Sequence, residues 1–105
     1  MPQVKNIYDL LLSCCRQIPK EQFTTKDVVE AFKGNREYQA EWNSVLNIAN
    51  GVEGGEGCGS HYSANVYIGQ MLKRLAVQGR IVECGQIPAP SGWGYHTIAS
   101  YRNNP

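Results

Sequence analysis

Leu72-Lys73-Arg74-Leu75-Ala76-Val77-Gln78-Gly79-Arg80-Ile81 is the run whose reading decides the fold. It has the form L-x-x-L-x-x-x-G-x-I and sits inside a longer stretch, 63–98, that reads as a helix, a tight turn and two strands. Leu72 and Leu75, with Ala64, Ile68 and Met71, recur at the three-and-four spacing that lines one face of a helix. Gly79 follows the last periodic residue, where a helix ends in a left-handed conformation that glycine adopts at little cost. Ile81 and Val82 open a β-branched strand. Between Gly85 and Gly94 stand two Pro and three Gly, turn chemistry that interrupts a regular element. Tyr95, Thr97 and Ala99 then alternate with His96, Ile98 and Ser100, as a returning strand does.

Upstream, Val4, Ile7, Tyr8, Leu11, Cys15 and Ile18 predict an amphipathic helix over about 4–18, which Pro19 ends. Leu10, Leu12 and Cys14 widen its apolar side. Phe23 and Thr24 suit a short extended segment. Thr24 or Thr25 then caps a second helix, with Asp27 near its positive end. Val28, Val29, Ala31 and Phe32 give that helix its apolar side, and Gly34-Asn35 stops it. Tyr38, Trp42, Val45, Leu46 and Ala49 form a further helical stripe, so a third helix is expected over about 36–49, ended by Asn50-Gly51. Residues 51–60 hold five Gly and almost nothing to bury, so a mobile loop is expected. That loop lacks the G-x-x-x-x-G-K-[ST] pattern of a phosphate loop, and its two Glu would repel phosphate. The polar tail from Tyr101 to Pro105 is expected to fray.

A length of 105 residues fits one domain, and 42% apolar with 18% charged residues is ordinary for a globular chain. No apolar run approaches the ~20 residues of a membrane span. The first residues lack the pattern of a signal peptide, so a cytoplasmic protein with no membrane partner is expected. The net charge of +1 is unevenly placed: residues 1–56 carry a balance of −2, and residues 57–105 one of +3. The basic half contains the decisive run. Cys14, Cys15, Cys58 and Cys84 should be reduced in such a compartment. Cys14 and Cys15 point about 100° apart on a helix, which disfavours a bond between them and suits core packing.

This order of elements resembles a winged helix-turn-helix domain. In such regulators the L-x-x-L-x-x-x-G-x-I run carries the recognition helix into the wing. The resemblance covers nearly the whole chain, 1–105, and implies an α+β fold with a recognition helix over about 63–78 and a wing hairpin over about 80–100. It departs from the family in one place. An extra helix and a Gly-rich loop, about 36–61, precede the recognition helix, where a turn of a few residues is usual. The implied function is sequence-specific binding of double-stranded DNA by a small transcriptional regulator. The alternative is a winged-helix module for protein–protein interaction, with a protein partner or a second copy of the chain.

On the expected recognition helix, Ser63, Val66, Gly69, Gln70, Lys73, Arg74 and Val77 project away from the apolar face. Gln and Asn bond adenine edges, Lys and Arg bond guanine or phosphate, and a Val methyl contacts thymine. The expected DNA-binding set is therefore Ser63, Asn65, Val66, Gly69, Gln70, Lys73 and Arg74, with Arg80 at the start of the first strand. The tip over 86–92 has no charge, which leaves Arg80 and Arg102 as the phosphate candidates of the hairpin. Cys58 and His61 form a C-x-x-H, with Cys84 and His96 on the hairpin, but no paired C-x-x-C accompanies them, so neither metal nor cofactor is expected. Cys58 beside His61 lacks a visible scaffold for an activated thiol. No nucleophile-elbow, metal-hydrolase or nucleotide motif is present, and the chain reads as a non-enzyme.

Overall fold

Helix α1, Ile7–Gln17, forms because Ile7, Leu11, Leu12, Cys14 and Cys15 give it a broad buried side, with Asp9 in its first turn and Arg16 in its last. The structure is a computed structural model and describes residues 7–49, 51, 53, 63–88 and 97–104. Strand β1, Phe23–Thr24, leads into helix α2, Thr25–Lys33. Thr24 is the cap of α2: its hydroxyl accepts from the Asp27 N–H at 3.2 Å, and its own N–H donates to the Asp27 carboxylate at 2.9 Å. This reciprocal pair satisfies two backbone donors that a helix start leaves open. At the other end Gly34 keeps a right-handed φ of −82°. Glycine is needed there for space, since a Cβ would lie 2.9 Å from the Glu30 carbonyl oxygen.

A 3₁₀ turn, Arg36–Tyr38, precedes helix α3, Gln39–Ile48. The predicted helix over 36–49 is thus a tight turn followed by an α-helix. Tyr38 stacks on Phe32 at 5.8 Å between ring centroids, and Trp42 meets the same ring edge-on at 6.2 Å. These contacts join α3 to α2 by aromatic packing. Glu53 holds the next connection: its carboxylate pairs with Lys33, and its carbonyl accepts from the Asn65 N–H at 3.1 Å.

Helix α4, Ala64–Val77, carries the decisive run. Ser63 caps it by accepting from the Val66 N–H at 3.2 Å. Gly79 closes it at φ +77°, in the left-handed region. The Arg80 N–H reaches the Leu75 carbonyl and the Gly79 N–H reaches that of Ala76, each at 3.0 Å. That pair of bonds satisfies two carbonyls of the last turn and aims the chain into the sheet.

Strands β2, Ile81–Pro88, and β3, Thr97–Asn103, are antiparallel, and β1 adds to the far side of β3. The strand order is β1-β3-β2, with Phe23 opposite Tyr101 and Ile81 opposite Asn103. The register slips between Glu83 and Gly85, which leaves Cys84 as the extra residue of a bulge, and Gly85 takes φ +120° there. The result is an α+β arrangement of four helices and a small three-stranded sheet among the described residues, a layout compatible with a winged helix. The core is built where α1, α2 and α4 meet the sheet, around Leu11, Val28, Phe32, Ile68, Leu72, Leu75, Ile81 and Tyr101.

Two expectations need correcting. The tail does not fray from Tyr101: β3 continues to Asn103, Tyr101 is fully buried, and the Asn103 amide donates to the Cys15 carbonyl at 3.1 Å. Nor does β3 alternate, since Ile98, Ala99, Ser100 and Tyr101 are all buried. Both follow from its central place in the sheet, between β1 and β2 and with α1 and α2 packed against it, so that of β3 only Thr97 and Arg102 are exposed. The expected Gly-rich loop apart from Gly51 and Glu53, the Cys58-to-His61 pattern, the hairpin tip from Ala89 with Trp93, Tyr95 and His96, and the start of the first predicted helix lie outside the described residues.

Candidate nucleic-acid interface

The geometry of α4 sorts its candidates into three groups. Val66, Gln70, Lys73 and Val77 fall within an arc of about 60° at 100° per residue. Gln70 and Lys73 are exposed, Val66 is half-buried, and Val77 is 89% exposed. Val77 is the last residue of α4 and sits one turn beyond Lys73 on the same line. Gly69 borders this arc where α4 crosses α2, with the Thr25 methyl 3.6 Å from where a Cβ would stand.

Ser63 and Asn65 form the second group, and here the outward orientation expected for Ser63 and the availability expected for Asn65 are corrected. Ser63 is 1% exposed and Asn65 is 6% exposed. The Ser63 hydroxyl is already used as the α4 cap. Asn65 lies on the flank of α4 that faces the sheet, and neither side chain stands at the surface where a duplex would meet the helix. Helical projection misplaced Ser63 because it ignores what lies beside the helix.

Arg74 and Arg80 form the third group, turned toward α1. Arg74 donates to the Tyr8 hydroxyl at 3.1 Å, and Arg80 pairs with Asp9 at 3.1 Å. Both remain solvent-accessible, and exposed pairs of this kind exchange readily for other partners. Lys73 enters no ion pair among the described residues, and neither does Arg102 on β3. Lys73 is therefore the uncommitted cation of the α4 surface.

Between α4 and the hairpin runs a groove that Lys73 borders. It has a volume of about 270 Å³, with Asn65, Gly69 and Lys73 on one wall and Gln86, Ala99 and Tyr101 on the other. A second hollow, also bordered by Lys73, is lined by Ala76, Val77 and Glu83. The lining residues on α2 and the strands, Thr25, Gln86, Thr97, Ile98, Ala99 and Tyr101, were not legible as a site. The one local hint is a buried tyrosine in a polar tail. Burial pushes the Tyr101 phenol well above its ordinary value. The charges of Glu83 and Cys15 add to that, while neighbouring Thr25 works weakly against it. Thr25 nonetheless makes no hydrogen bond of normal geometry to the Tyr101 oxygen.

Burial also pushes the Cys14 thiol up to about 11 and the Cys15 thiol up to about 12, so both stay protonated and inert at neutral pH. Cys84 is exposed at the β2 bulge. Among the described residues no group of three or more His, Cys, Asp or Glu is placed to hold a metal ion, and no helix is long and apolar enough to cross a membrane. Comparison with protein-family models, with curated proteins and with solved structures gives no match for this chain.

Proposed function

We propose that this chain is a winged-helix module that binds double-stranded DNA in a sequence-specific way, as a small transcriptional regulator does, with α4 entering the major groove. The observation that carries the reading is the line of exposed Gln70, Lys73 and Val77 with half-buried Val66 on α4, opposite its buried face. It combines an amide for base edges, a cation with no ion pair among the described residues for phosphate or guanine, and methyl groups for thymine. The connectivity supports it. Helix α1, strand β1 and helix α2 come first, the 3₁₀ turn and α3 intervene before α4, the hairpin follows α4 directly, and the short strand returns to pair with β3. The site residues in this reading are Val66, Gly69, Gln70, Lys73 and Val77, with Arg74 and Arg80 as flanking phosphate contacts once released from Tyr8 and Asp9.

The test begins with a selection from random duplex. Gln70→Ala should then cost about 1–3 kcal/mol on the preferred site and relax preference at one or two positions, while leaving random duplex unaffected. Equal loss on both would mean that Gln70 reads no base. A second reading, a module for protein–protein assembly, is favoured by the exposure of Val77 together with that of Ile87 at 38%. Sedimentation of the chain at rising concentration, with Val77→Ser as the control, separates the two.

A further inference from the structure

The basic half of the chain, residues 57–105, has four cations, Lys73, Arg74, Arg80 and Arg102, and two of them are already engaged. The Arg74 guanidinium donates to the Tyr8 hydroxyl at 3.1 Å, and the Arg80 guanidinium pairs with the Asp9 carboxylate at 3.1 Å. Tyr8 and Asp9 are neighbours in the first turn of α1, so a single helix turn holds both arginines. The partners lie 66 and 71 residues apart, which makes these contacts of the fold and not of one helix face. Tyr8 is packed against the core, and that packing fixes where its hydroxyl stands. Arg74 is on α4 next to Lys73, and Arg80 directly follows the glycine that closes α4.

From these contacts we infer that the first turn of α1 is an intramolecular brake on DNA binding, in which the Tyr8 hydroxyl and the Asp9 carboxylate occupy the two arginines that flank the reading face of α4. The inference rests on the reading of α4 as the DNA-binding helix. The chemistry is a competition between oxygens. A guanidinium is a rigid fork of N–H donors, so turning it onto a phosphate turns it off its acceptor on α1. A phosphate contact by Arg80 therefore gives up the Asp9 pair, and one by Arg74 gives up the Tyr8 bond. The Asp9 side chain is 71% exposed and the pair is screened by water, so the brake is mild, about two- to fivefold in affinity for this pair. It leaves Gln70 and Lys73 untouched. It acts on phosphate contacts alone and weighs on random duplex and on a preferred site alike.

The experiment measures binding of the full chain to random duplex at about 50 mM salt, where phosphate contacts are strong. Tyr8→Phe and Asp9→Asn are compared with the wild type, each alone and each combined with loss of the arginine it holds. Tyr8→Phe changes no charge and keeps the packed ring, so it should strengthen binding about twofold, and Asp9→Asn about two- to fivefold, with the thermal midpoint unchanged. In the Arg74→Ala and Arg80→Ala backgrounds the respective gains should vanish, since no arginine is left to release. The guanidinium NMR signals of Arg74 and Arg80 in the free chain should move with Tyr8→Phe and Asp9→Asn respectively, which tests the two tethers without DNA. Unmoved signals would overturn the brake, as would affinity that neither variant raises. An equal gain from Asp9→Asn with and without Arg80 is the plain effect of removing a negative charge and would overturn the Asp9 tether. A wild-type chain that binds no duplex would overturn the DNA reading and the brake with it, and the NMR shifts distinguish that outcome from a failure of the tethers alone.

Discussion

Two glycines in one helix illustrate what single residues decide here. Gly79 takes φ +77°, and Gly69 lies within the helix with room for a methyl. Gly79→Ala should therefore destabilise the chain by about 1–2 kcal/mol, the cost of a left-handed conformation for a residue with a Cβ. Gly69→Ala should stabilise it by about 0.8–1 kcal/mol through helix propensity. Denaturant melts of the pair check both signs at once. The cysteines give a second residue-scale prediction. A thiol reagent at neutral pH should modify Cys84 and spare Cys14 and Cys15 until the chain unfolds. Because the folded thiols sit at about 11 and about 12 against an ordinary 9.0, the unfolded chain releases protons first as pH rises. Stability should accordingly be intact below pH 9.0 and fall above it, on through the folded values. Asp27 works in the opposite sense. Burial raises its carboxyl, but the Thr24 N–H and the Lys20 ammonium outweigh that and hold it below 3.8, so its contribution is present above that value and lost in stronger acid.

At the scale of elements, α4 and its turn were legible because their signals are local. The three-and-four spacing and Gly79 both act within a few residues, and the helix runs from Ala64 to Val77 against an expected 63–78. The same holds for β1 and for the Thr24 cap. What was not legible depends on partners far along the chain. Ser63 and Asn65 are buried by what packs beside the start of α4, and Arg80 meets Asp9 from 71 residues away. Tyr101 reads as the start of a polar tail until β1 and β2 close on both sides of β3. The element-scale prediction follows from that last point. A chain ending at Ser100 loses the Phe23–Tyr101 pairing and a fully buried aromatic ring, and should lose its cooperative thermal transition altogether. Leu75→Ala, at the centre of the buried face of α4, should cost about 2–5 kcal/mol in the same melt.

Across the whole molecule the charges are sparse, and their placement matters more than their sum. The described acidic side chains include partners for Lys20, Lys26, Lys33 and Arg80, whereas Arg16, Arg36, Lys73, Arg74 and Arg102 have none among them. A module with a net charge of only +1 should hold random DNA only weakly at physiological salt and rely on base contacts for its preferred site. The most direct measurement is therefore the salt dependence of binding to a random duplex, for the wild-type chain and for Lys73→Ala. The account predicts measurable binding at about 50 mM salt, affinity that falls as salt rises, and a slope that drops by about one in the variant with its thermal midpoint unchanged. No binding at that salt, or a slope that Lys73→Ala leaves untouched, would contradict α4 as a DNA-reading helix.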